Sequence, residues 1–166
     1  MEWKAEHAEA LSSLLADENS IALLPQPFVS VAQNKDENIR MAIDITEEWD
    51  KIQESSENPS TLVMGVVVSN SDFVENNKDL INTFLDSYKE SVDFVNTEVE
   101  EASTIIGEYD IVPKPVAQKA IPYSNIVLIE GDEMKDKLKG YLEVLASYDI
   151  DSVGGKLPED DFFYTR

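Results

Sequence analysis

Few residues of this chain are of the types that carry out catalysis. His7 is the only histidine, and it falls in a helical stretch of Glu and Ala, where a histidine is more often a boundary residue than a base or a metal ligand. There is no cysteine, which excludes disulfides, thiolate metal sites and a cysteine nucleophile. A Ser-His-Asp arrangement lacks support as well, and we therefore predict that the chain is not an enzyme.

Paired carboxylates are the candidate ligands for a hard cation, since calcium and magnesium prefer oxygen ligands. None of the pairs lies in the alternating acidic loop with a central glycine that a calcium site uses. The chain also lacks the phosphate-binding motifs GxxxxGK[ST] and GxGxxG. We therefore predict no metal site, no cofactor and no nucleotide, and we expect solvated faces at the three acidic pairs, Glu47-Glu48, Glu100-Glu101 and Asp160-Asp161.

The strongest candidate for ligand binding is a loop that contains two prolines and an aromatic ring. It follows the apolar run 21–24 directly, and proline ends a strand because it lacks the ladder donor. In open α/β sheets, ligands bind beyond the carboxyl ends of strands. The alternative is an ordinary strand-ending turn. We predict that the loop binds a ligand through Pro25, Gln26, Pro27 and Phe28.

The composition is that of an acidic globular protein. With 166 residues and 42% hydrophobic content, the chain has about one domain's worth of length and can bury a core. Its 34 Asp and Glu outnumber 13 Lys and Arg, which gives a formal net charge of −21 at pH 7. Because such a field repels phosphate backbones and anionic lipid headgroups, we predict no nucleic-acid partner and no contact with a membrane surface.

Hydrophobic patterning predicts an α/β fold in which helices cover a mixed sheet. β-Branched and alternating runs predict strands at 21–24, 40–45, 61–69 and 126–129. The run 61–69 is apolar on both faces, which is typical of the middle of a covered sheet.

Apolar residues at helical spacing predict the covering helices. We expect Thr46 and Ser71 to cap two of the shorter ones. A polar stretch with a proline, 51–60, is the best boundary, so we divide the chain into residues 1–60 and 61–166. The predicted helices are 3–15, 29–34, 46–49, 72–76, 78–96, 97–108, 115–120 and 131–148.

Three stretches resemble the solute-binding proteins of ABC transporters. They are ALLPQPFVSVA at 22–32, LVMGVVV at 62–68 and GGKLPEDDFFY at 154–164. The resemblance is to the group that takes up nitrate, sulfonates, taurine and thiamine precursors. It runs over almost all of this chain but covers only about the C-terminal half of such a protein.

The resemblance implies a partial periplasmic binding protein-like fold of type II, in which two α/β lobes enclose the ligand. Residues 1–60 would then be part of the second lobe, with the loop at Pro25, Gln26, Pro27 and Phe28 on the ligand side. Residues 61–166 would contain the strand returning through the hinge and the C-terminal part of the first lobe. Gln26 departs from the family, in which an acidic residue is common at that position.

The implied function is capture of a small polar organic solute or anion for an ABC permease. The implied location is extracytoplasmic, periplasmic or at the cell surface, although the chain as written has no export signal at its N-terminus. The apolar stripes of helices 78–96 and 131–148 would normally lie on a sheet built largely from the missing half, so we expect either a compact reduced domain or self-association into a homo-oligomer. Two other functions stay open: a cytosolic acidic interaction domain, and an enzyme similar to the thiamine-precursor pyrimidine synthases.

Overall fold

The computed structural model describes residues 1–56 and 59–166, and about 60% of the chain is helical. Short 3₁₀ turns at Ile121–Tyr123, Ile150–Val153 and Asp160–Phe162 supplement the α-helices. The α-helices of the described residues are α1 (His7–Ala16), α2 (Phe28–Lys35), α3 (Ile45–Gln53), α4 (Ser71–Asn76), α5 (Lys78–Thr97), α6 (Val99–Glu108), α7 (Lys114–Ala120) and α8 (Gly131–Tyr148).

The predicted α/β fold with its mixed sheet is wrong. No strand forms within residues 1–56 and 59–166, and the segments 21–24, 40–44, 61–69 and 126–129 are irregular. β-Branched residues favour a strand only where a neighbouring strand supplies the ladder and the cross-strand side-chain contacts. No backbone hydrogen bond joins any two of these described segments. The fold is therefore all-helical, and not the partial periplasmic binding protein-like fold.

The helices lie close to their predicted positions, but two of their caps are different residues. The Asp44 carboxylate accepts from the backbone N–H of Thr46 at 2.9 Å and therefore caps α3. In the same way, the Asn70 side chain accepts from the N–H of Asp72 at 2.9 Å and caps α4. Thr46 and Ser71, the predicted caps, lie in the first turn of each helix, because a competent capping residue comes two positions before Thr46 and one position before Ser71.

The chain divides into two compact units of interleaved sequence. The first unit comprises Met1–Ala42 and Ser87–Val127, and the second unit comprises Ile43–Asp86 and Leu128–Arg166. The predicted assignment of residues 1–60 and 61–166 to two lobes stays a prediction. Of the predicted boundary 51–60, residues 57–58 lie outside the described part of the chain, and 51–53 form the end of α3.

The first unit has a core of small and aliphatic side chains. Helix α7 contacts both α2 and α6, and Ala32 of α2 and Ala117 of α7 are almost fully buried. Alanine at such contacts allows two helix axes to approach closely. The loop at 25–28 directly precedes α2, so this packing also holds the loop. The buried hydrophobic side chains are Leu11, Ala32, Val92, Ala102, Val116, Ala117, Ala120 and Ile121.

The second unit is held together around the buried Ser60. The Gln53 Oε1 atom accepts from the Ser60 N–H at 2.9 Å and from its hydroxyl at 3.0 Å. The Trp49 Nε1–H donates to the Ser60 carbonyl at 3.2 Å. Gly140 of α8 lies so close that a Cβ there would come within 3.0 Å of the Ser60 Cβ. Hydrogen bonding and a close backbone approach therefore join α3, Ser60 and α8.

Candidate functional site

The predicted ligand loop lies at the start of α2 in the first unit. Pro27 precedes the helix with φ −87°, and the Gln26–Pro27 peptide bond is cis. The Pro27 carbonyl accepts from the Val31 N–H at 2.9 Å, which begins the helical hydrogen bonding. The structure therefore brings Pro25, Gln26, Pro27 and Phe28 together as a turn into a helix, and not at the end of a strand.

The Gln26 side chain is held in one orientation by Ser30. Its Oε1 accepts from the Ser30 N–H at 3.3 Å and from the Ser30 hydroxyl at 2.9 Å, and Ser30 is 2% exposed. Because a backbone N–H can only donate, the amide oxygen must face Ser30 and the NH₂ group must point away from it. That NH₂ has no partner among the described residues, so each of its two N–H groups can donate a hydrogen bond to an acceptor of a ligand.

Phe28, two residues after Gln26, forms an aromatic pair with His7. The ring centroids of His7 and Phe28 are 5.3 Å apart, with the planes tilted by 51°, and α1 packs against α2. His7 is exposed and Phe28 is half-buried. The pair therefore offers a partly accessible aromatic surface at the start of α2.

The sequence did not predict the contact between the rings of His7 and Phe28, and His7 was interpreted as a boundary residue. His7 and Phe28 are distant in sequence, and no local pattern predicts that their rings meet. The contact between Gln26 and Ser30 is different, since the two residues are four apart at the first turn of a predicted helix. That spacing is a signal from which the contact can be predicted.

Two open grooves lie elsewhere in the described residues. One, of about 460 Å³, lies between α5 and α6 of the first unit and includes Phe94 and Ile105. The other, of about 540 Å³, lies in the second unit along the C-terminal segment and includes Gly154, Lys156 and Phe162. Neither of these two grooves is lined by the loop 25–28, whose residues are half-buried.

The C-terminal segment is bound to α8 by an ionic cluster. Lys135 lies 3.0 Å from the Asp160 carboxylate, and Lys139 donates to the same group. These two lysines, Lys139 first, lower the pKa of Asp160. Phe163 is buried nearby, with the Lys139 ammonium 5.8 Å from its ring centroid. These contacts explain why a segment with little regular structure has a defined position.

The chain terminus adds a second ionic contact in the same unit. The Arg166 guanidinium donates to Asp86 at 2.6 Å and to Glu130 at 2.8 Å. These two carboxylates raise the pKa of Arg166 above its ordinary value. The Tyr164 hydroxyl donates to the Asn82 side-chain oxygen at 3.1 Å. The terminus therefore ties α5 to the residue that precedes α8.

The acidic pairs do not form a metal centre in the part of the chain that the structure describes. No group of three or more His, Asp or Glu side chains there is arranged to hold a metal ion. Asp160 instead pairs with two lysines, and Glu48 pairs with Lys51 at 2.6 Å.

No helix of the described residues is long and apolar enough to cross a membrane.

Comparison with protein-family models, with curated proteins and with solved structures gives no match to this chain. The resemblance to solute-binding proteins therefore rests on the three stretches alone. The first of them, 22–32, contains the loop and lies in the first unit, whereas 62–68 and 154–164 lie in the second unit.

Proposed function

We propose that this chain binds a small polar organic solute through its loop and delivers it to an ABC permease, which is the function implied by the resemblance of its sequence to solute-binding proteins. The proposal is supported by the resemblance of the three stretches to that family. The observation that carries it is the Gln26 amide, which Ser30 holds with its NH₂ group directed away from the helix.

A donor that is held before the ligand arrives binds more tightly than a mobile one, because less side-chain entropy is lost on binding. Ser30, which orients the amide, is itself buried against the helices of the first unit. The adjacent rings of His7 and Phe28 supply apolar contact for a carbon skeleton. We therefore propose that the ligand has an acceptor oxygen close to a small apolar part.

The charge of the protein narrows the class of ligand. A net charge of −21 repels a free anion at long range. A zwitterion such as taurine carries a sulfonate oxygen for the Gln26 amide and has no net charge. Among the ligands that the resemblance implies, we propose that taurine binds more tightly than nitrate.

Gln26→Glu tests the role of the amide without disturbing the helix start. A carboxylate keeps the acceptor that Ser30 needs but removes both N–H donors. We expect taurine to raise the melting temperature of the native chain. At a taurine concentration of 100 times Kd, binding raises the free energy of unfolding by about 2.7 kcal/mol. In Gln26→Glu, we expect the shift to disappear while the stability of the unliganded chain is kept.

Gln118→Glu is the matched control, since Gln118 is exposed on α7 and the substitution adds the same charge. It should bind taurine like the native chain in isothermal titration calorimetry. The proposal would be contradicted if the native chain responded to none of taurine, an alkanesulfonate, a hydroxymethylpyrimidine and nitrate. It would also be contradicted if Gln26→Glu and Gln118→Glu bound taurine equally well.

A further inference from the structure

The protein exposes more surface than its mass requires. Its accessible surface is 12239 Å², whereas two separate globular domains of half its mass would together expose about 9,900 Å². The excess of roughly 2,300 Å² is larger than the ~800 Å² that each partner buries in a standard protein interface. The protein as a whole therefore has surface to spare for an interface with another molecule.

One apolar stretch of the second unit stands out within this surface. Residues 64–68, named the valine segment below, expose Met64 by 78%, Val67 by 62% and Val68 by 75%. No backbone group of 61–69 bonds to another backbone group of the described residues. The segment thus combines β-branched side chains with free ladder groups, which are the features of a strand that lacks its neighbour.

We propose that the valine segment is the interface for a second copy of this chain, with the two segments paired as antiparallel strands about a two-fold axis. This proposal is independent of solute binding. A two-fold axis perpendicular to the strands makes identical strands antiparallel and closes the assembly at two copies. Pairing centred on Val66 places Met64 of each copy opposite Val68 of the other.

The local absence of charge permits a second copy at this segment, although the net charge of each copy opposes association at long range. The thirteen residues 59–71 contain no charged side chain, so two identical copies meet there without opposing like charges. A basic partner would be drawn to the acidic faces of this protein and not to its uncharged stretch. The charge of −21 on each copy also resists the addition of further strands at the free edge.

The mass of the full chain in solution tests the pairing directly. Light scattering coupled to size exclusion should show the mass rise with concentration from 18.6 kDa to twice that value. Added sodium chloride should favour the dimer, because it screens the repulsion between the two acidic copies. Val67→Lys places like charges across the axis, and we expect it to raise the dissociation constant at least tenfold.

Ile111→Lys is the matched control. Ile111 is β-branched and 69% exposed, it lies in the first unit, and the substitution adds the same charge. Its dissociation constant should equal that of the native chain. Because both replaced side chains are exposed, the helical content in far-ultraviolet circular dichroism should be unchanged in each variant.

Hydrogen exchange gives a readout that does not depend on a variant. The amides of 64–68 should exchange slowly at concentrations where the dimer forms and rapidly in the monomer. A monomer at every concentration, or an equal effect of the two variants, would overturn the proposal. Slow exchange at every concentration would also overturn it, because it would show that another part of the chain covers the valine segment. Assembly of more than two copies would exclude a closed two-fold pair.

Discussion

At the scale of single residues, electrostatics decides what the acidic side chains do. Asp160 belongs to one of the acidic pairs, yet it accepts from Lys139 and pairs with Lys135, so its carboxylate fixes the C-terminal segment to α8. Gln26 has an equally specific local role, since its amide oxygen binds the first turn of α2. Lys139 is 21 residues from Asp160 in the sequence, whereas Ser30 is only four residues from Gln26.

The pairing of Asp160 predicts a dependence of stability on pH. Its pKa in the folded protein is lowered, chiefly by Lys139 and then by Lys135. The stabilisation is therefore present above the unfolded value of about 3.9, and it is lost as the pH falls through the lower, folded pKa. In a titration of side-chain carboxyl groups by nuclear magnetic resonance, we expect the Asp160 midpoint to lie below that value.

Lys139→Ala should move the midpoint of Asp160 upward. Lys137→Ala is the control, because Lys137 lies on the same helix but pairs with Glu133 at 3.0 Å. An Asp160 midpoint that is the same in both variants would contradict this assignment.

At the scale of elements, the helices form where their local patterns predict, and the contacts between them depend on a few polar groups. The second unit illustrates this, since Gln53 of α3 binds both the N–H and the hydroxyl of Ser60. Gly140 allows α8 to reach the same residue, and Trp49 and Tyr141 contact at 5.6 Å between ring centroids.

Gln53→Leu should destabilise the second unit by about 2 kcal/mol, because it leaves two buried donors of Ser60 without an acceptor. Urea unfolding followed by Trp49 fluorescence, in a Trp3→Phe background, measures this change. Gln118→Leu, at an exposed position of α7, should change the free energy of unfolding by less than about 0.5 kcal/mol. Equal effects of the two substitutions would show that the hydrogen bonds to Ser60 contribute little.

At the scale of the whole molecule, burial is unevenly distributed. Among the described residues, Phe163 is the one buried hydrophobic side chain of the second unit, and the others lie in the first. Local stability follows the density of buried apolar contacts. The first unit should therefore open less readily than the second.

Native-state hydrogen exchange on dilute, monomeric protein tests this difference. We expect the slowest amides in α6 and α7, which pack on each other around Ala102 and Ala117. The amides of α3 and α4 should exchange faster, because few apolar side chains are buried there. Slower exchange in α3 than in α7 would contradict the expected order.

Part of the candidate site was predictable from the sequence. The turn at Pro25 and Pro27, and a helix just after it, follow from proline geometry and local spacing. The orientation of Gln26 depends on Ser30, four residues later, and lies within reach of the same local reasoning. The contact of His7 with Phe28 was not predictable, because the packing of α1 on α2 sets it.

The sequence by itself determined the helices and the strongly acidic surface, because helical hydrogen bonds and side-chain charges are local properties of the chain. Only the tertiary structure decided whether the β-branched segments became strands, since the partner that a strand needs can lie anywhere in the chain or in another molecule. Segments such as 61–69 have the composition of strands but meet no partner within the described residues. The same dependence on distant contacts explains why the fold class was predicted wrongly while the helix positions were predicted well.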